Sequence, residues 1–267
     1  MNTLTTLVKR HPLPAFLILA FGLSWSAVIF YQLRLFPAPI FTFGPSLAAV
    51  IVAGMTGGRA GLKALFSRLF RWRVGLRWYL VALFAPLPLF VAIVYVNVLL
   101  GAPAPTAGQL AAWPSLFGFF LGLILSPFGG AWEELGWRGY ALPELLSSRS
   151  SLAASLILGV LWAAWHLPIL ITGQIPWPNL VFIMGISIIF TWLFNNTRGS
   201  VLLAFLLHAS IDAYGEFFIP MFSGADLVRV YWLMGAGFGL WAIGLIIRTA
   251  ANAARKDDAA LQKPARA

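Results

Sequence analysis

Apolar residues run along this chain in long blocks separated by short polar segments, a pattern far from the alternation of a half-buried strand. Eight such blocks stand at residues 14–33, 40–56, 78–100, 115–130, 152–171, 180–195, 200–222 and 230–247. Each approaches or exceeds the ~20 apolar residues that a helix needs to cross hydrocarbon. The pattern therefore predicts an all-α, polytopic membrane protein with about eight transmembrane helices. The first block is too long for the core of a signal peptide and has no small-residue cleavage site, so it counts as a span. Residues 1–250 then read as one integral membrane domain, and 251–267 as a polar, disordered cytoplasmic tail. Between the second and third blocks the pattern changes. Leu62, Leu65, Phe66 and Leu69 follow helical spacing opposite the basic residues of a segment carrying Arg59, Lys63, Arg68, Arg71, Arg73 and Arg77. This predicts an amphipathic helix lying on an anionic leaflet. Two glycine pairs, Gly118 with Gly122 and Gly235 with Gly239, have the spacing of close helix–helix seams.

Composition sharpens the class. Of 267 residues, 60% are hydrophobic and 10% charged, and the mean hydropathy of +0.87 lies outside the range of soluble domains. There is no cysteine, which removes disulfides, thiolate nucleophiles and thiolate metal ligands. A net charge of +10 would suggest nucleic acid in a soluble protein, but its distribution gives it another meaning. With both termini cytoplasmic, sixteen of the eighteen Lys and Arg residues face inward, leaving Arg34 and Arg229 outside. The positive-inside rule thus predicts an N-in, C-in protein of the cytoplasmic membrane, with the lipid bilayer and not nucleic acid as its partner. The chain has no internal duplication of the kind that many transporters are built on.

Ionisable groups inside apolar blocks are costly and are functional candidates by default. The fourth block ends in Glu133-Glu134-Leu135-Gly136-Trp137-Arg138. On a helix, Glu134 and Arg138 stand at i and i+4 and form a structural ion pair, while Glu133 has no basic residue in reach and is left for chemistry. His166 lies in the fifth block, and His208 and Asp212 lie one helical turn apart in the seventh. At ~1.5 Å per residue these three groups sit ~12–21 Å into their spans. If the fourth helix runs on to Leu142, Glu133 lies ~14 Å from its end, with Pro127 and Gly129-Gly130 as the place where it would kink. All four groups then share one depth. A carboxylate beside a histidine can hold and deprotonate water, and a second histidine with a polar neighbour can stabilise the oxyanion formed on a carbonyl. Glu133, His166, His208 and Asp212 also offer the donor types of a zinc site with an open position. Intramembrane peptide hydrolysis uses this inventory. The competing reading is a non-catalytic protein, a transporter or bacteriocin-immunity protein with the same buried cluster, and full function after Glu133→Gln would favour it. Trp132, Trp137, Trp162 and Trp165 read as interfacial or core packing before cleft lining.

At these residues the chain resembles the CPBP family of intramembrane proteases, also called the CAAX-protease and bacteriocin-processing family. The family pattern is EExxxR, FxxxH and HxxxN or HxxxD on separate helices. Glu133 to Arg138 match the first motif, Trp162 to His166 match the second with tryptophan in place of phenylalanine, and His208 to Asp212 match the third in its acidic form. The resemblance covers about residues 115–222. It implies that Glu133 and His166 activate water while His208 and Asp212 serve the oxyanion, on a membrane-embedded or lipid-anchored peptide substrate. The family's residues have been read both as zinc ligands and as a glutamate-based site, and both readings stand at this point. The tryptophan is expected to matter little, as another flat apolar neighbour. The aspartate matters more, because in ionised form it would repel an oxyanion, so it must be protonated, or instead bind metal or orient His208.

Overall fold

The computed structural model describes residues 3–126 and 129–261. All eight apolar blocks are helical, and there is no strand among the described residues. The principal helices are α1 (Pro12–Gln32), α2 (Gly44–Leu69), α3 (Leu76–Leu99), α4 (Ser115–Leu125), α5 (Ser151–Trp165), α6 (Asn179–Asn196), α7 (Val201–Phe218) and α8 (Gly224–Leu261). Among the described residues seven stretches are long and apolar enough to cross a membrane, the fourth of them being Ser115–Leu146, of which α4 is the first part, while the stretch of α5, at 15 residues, falls short. Pro168 explains why. It has no N–H for the Ala164 carbonyl, and its ring crowds that carbonyl, so the helix stops at Trp165. The chain turns at His166 and resumes as the short helix Leu167–Ile171, whose first amides bond back to the His166 carbonyl.

The fourth block also departs from one continuous helix. α4 ends at Leu125, and Ser126 is extended, as expected of a residue that precedes proline in the sequence. Pro127 itself lies outside the described residues. From Gly129 the chain enters a tight turn over Gly130–Glu133, one α-helical turn over Glu134–Gly136, a wide π-type turn over Trp137–Ala141, and a last turn over Leu142–Leu146. Changes of helical pitch of this kind cluster at functional sites.

Three further expectations are corrected. The amphipathic segment is part of α2, which bends at Gly58 (φ 55°, a conformation that suits glycine). Beyond the bend the segment packs back on the first half. Gly61 lies against the Ala53 carbonyl, and Leu65 is buried in the core, so most of the apolar face meets protein and not lipid. Gly118 and Gly122 have open space beside them and form no seam, whereas Gly235 packs on Val181 and Gly239 on Gly185, joining α8 to α6. The tail is helical as far as Leu261, because its alanine-rich sequence favours helix even without packing; residues 262–267 lie outside the described residues.

α7 is the most enclosed span and organises the site. It packs against α3, α4, α6 and the turns between Gly130 and Ala141. Its sequence is mostly apolar, as a largely surrounded helix requires, and His208 and Ser210 are buried within it. α2 supports the motif from the other side. Gly136 lies in contact with the backbone of Pro45, where any larger residue would collide, and Ser46 donates its hydroxyl to the Trp132 carbonyl.

Candidate active site

The bent segment after Gly129 brings Glu133 and Glu134 inward, with 3% and no exposure. Glu134 Oε1 accepts from Arg138 Nη1 at 2.7 Å, the pair that the i, i+4 spacing predicts. The same oxygen also accepts from His208 Nδ1 at 2.7 Å, which spacing within one helix does not reveal. The Arg138 guanidinium is clamped between two rings, 4.0 Å from the centroids of Trp162 and Phe190. Such stacking is worth most where water is excluded, and Arg138 is fully buried. One carboxylate thus neutralises the arginine and fixes the tilt of the histidine.

With Nδ1 engaged, His208 turns Nε2 toward Asp212, 3.4 Å from Oδ2. Glu133 sits beside them. Its Oε2 accepts from the Trp162 indole Nε1–H at 2.8 Å. The backbone of Gly130 closes the group. A Cβ placed on Gly130 would lie 2.7 Å from Asp212 Oδ2, 3.1 Å from His208 Nε2 and 3.6 Å from Glu133 Oε1, so a side chain here would collide with the cluster. Three polar atoms from two elements therefore converge on the backbone of one glycine.

His166 joins this group through Trp162. Its Nδ1 lies 2.8 Å from the Trp162 carbonyl. A carbonyl only accepts, so the proton is on Nδ1, and Nε2 of the neutral ring carries a free lone pair. The helix break at Pro168 leaves His166 at the mouth of the cluster, part-exposed like Asp212 and Gly130. Of the predicted site residues, Glu133, Glu134, Arg138, His208 and Asp212 are in one cluster, and His166 is one residue removed. Trp162 and Phe190 complete the set. The departure of the second motif from phenylalanine was the available signal for Trp162, and its consequence was underestimated: phenylalanine has no N–H to give Glu133.

Among the described residues, no three His, Asp or Glu side chains are grouped so as to hold a metal ion. His208 Nδ1 is committed to Glu134 and His166 Nδ1 to a carbonyl, which leaves Nε2 as the ring atom that each could offer.

Residues 112–214 match the family described as type II CAAX prenyl endopeptidase Rce1-like. That stretch contains Glu133, His166, His208 and Asp212. The chain is also similar to CAAX prenyl protease 2 of Methanococcus maripaludis, 27% identical over 216 residues, covering 74% of this chain and 76% of that protein. The chain is thus similar, over the region that carries the three motifs, to the CPBP family of intramembrane proteases. The long apolar helices and this similarity support a multi-pass membrane protein.

Proposed function

We propose that the chain is an intramembrane endopeptidase in which Glu133 and His166 activate water against a peptide carbonyl of a membrane-embedded or lipid-anchored substrate. The observation that carries this reading is the convergence of Glu133, His208 and Asp212 on the backbone of Gly130. Water held by Glu133 gives up its proton as it attacks, and the free Nε2 lone pair of His166 can take one. His208 Nε2 stands by the same glycine. When its ring carries both protons, Nε2–H can donate to the oxyanion while Nδ1–H stays on Glu134. Asp212, alongside Nε2, orients that ring. The name of the Methanococcus relative makes a prenylated peptide the first substrate class to try.

The test is cleavage of an internally quenched, farnesylated CAAX peptide by the protein reconstituted in lipid. Glu133→Gln and His166→Ala are each expected to reduce turnover by at least about 100-fold, with the thermal transition of the fold kept and no stoichiometric zinc in the wild type. Cleavage that persists in Glu133→Gln, or that is lost to a chelator and restored only by zinc, would overturn this reading.

A further inference from the structure

One residue touches four charged or titratable groups of the cluster, Glu133, Arg138, His166 and His208, and it is the one at which the second motif departs from the family pattern. Trp162 donates its indole N–H to Glu133 Oε2 at 2.8 Å and accepts the His166 Nδ1 proton on its own carbonyl at 2.8 Å. Its ring lies 4.0 Å under the Arg138 guanidinium and meets His208 edge to face at 5.5 Å. It is 1% exposed, so water does not compete for these contacts.

We propose that Trp162 is a positioning residue for hydrolysis, whose indole N–H holds the Glu133 carboxylate in register with His166. A carboxylate has two oxygens and several acceptor directions. With Oε2 held by the indole, Oε1 is turned toward Gly130, where it lies 3.6 Å from the point that a Cβ would occupy. The same residue's backbone fixes the His166 tautomer. The two groups that handle the water's proton are thus set by the two ends of one residue. An ordinary packing tryptophan would need no acceptor at this place. Trp137, fully buried nearby with no partner for its own Nε1 among the described residues, does without one.

This inference rests on the proposed role of Glu133, and the experiment separates the two. Trp162→Phe removes the N–H and keeps a ring beside Arg138. Trp137→Phe makes the same deletion where no bond is lost. Both are assayed with the quenched farnesylated peptide, kcat and KM being fitted separately, and thermal transitions are recorded. Trp162→Phe is expected to lower kcat by about 10- to 100-fold, the worth of a hydrogen bond to a charged group. KM should stay within about twofold, because an interaction made at the reacting centre belongs to kcat. Trp137→Phe should leave kcat unchanged. If Trp162→Phe unfolds, benzothienylalanine at position 162 keeps the shape and removes only the N–H, and the same loss of kcat is expected. Wild-type kcat in either Trp162 variant while Glu133→Gln is inactive overturns this inference alone. Activity in Glu133→Gln removes its foundation. A rise in KM at constant kcat would make Trp162 a binding contact and also overturn it.

Discussion

Glu134 carries two obligations on one oxygen, and both partners are out of water. Glu134→Ala leaves the Arg138 guanidinium between Trp162 and Phe190 without a counter-charge, and removing one partner of such a buried pair costs about 3–5 kcal/mol. The expected outcome is a large fall in thermal stability together with lost activity. Arg138→Met combined with Glu134→Leu should destabilise by less than the sum of the two single changes, because no charge is then stranded. A double-mutant cycle measured by unfolding in detergent checks this; simple additivity would mean that the two side chains do not depend on each other. At this scale the sequence was half legible. The link to Arg138 follows from a four-residue spacing, but the link to His208 spans 74 residues and no local periodicity encodes it. Trp162 was hidden for a different reason. Its flat apolar ring concealed a donor that acts only where an acceptor is brought to it.

The elements themselves were more legible than their breaks. Long apolar blocks must satisfy their backbone internally, so hydropathy alone gives helices at the right places. The interruptions depend on single residues. Pro168 cuts α5 short and sets His166 at a turn, and the pitch changes from Gly130 to Ala141 aim Glu133 and Glu134 inward. Pro168→Ala restores the missing amide and lets the helix run through His166. The expected outcome is unchanged or higher thermal stability with activity reduced about tenfold or more, since misplacement by about 1 Å can cost 100-fold. Full activity in a folded Pro168→Ala variant would show that the break is incidental to the position of His166.

For the whole molecule, charge distribution is the feature that sequence conveys best and local structure refines. The loops around Arg71 and Arg198 are tied together. Arg71 donates to the Arg198 carbonyl, Arg198 to the Arg73 carbonyl, and Ser200 Oγ to the Arg71 carbonyl at 2.7 Å. Two open cavities of about 490 and 480 Å³ share these two arginines, and Phe70 and Trp72 stand exposed beside them. Cations flanked by exposed aromatic rings suit a phospholipid headgroup region. Phosphatidylglycerol is therefore expected to raise the thermal transition of the detergent-solubilised protein more than phosphatidylcholine does, at about 2–4 °C per kcal/mol of binding. Arg71→Gln with Arg198→Gln should remove most of the difference, and an equal response in that double variant would dismiss the patch as a lipid contact.

The bond between Glu134 and His208 also has a consequence for how the protein is made. Ribosomes add about 5–20 residues per second, so the 74 residues between the two take about 4–15 s to follow. Throughout that interval Glu134 and Arg138 are already in the chain, one turn apart, and can neutralise each other from the first moment that their helix enters the bilayer. The local pair escorts two charges into the membrane, and the arrival of α7 then makes that pair the support of the His208 ring. A nascent copy cut off before α7 would be membrane-integrated and inert.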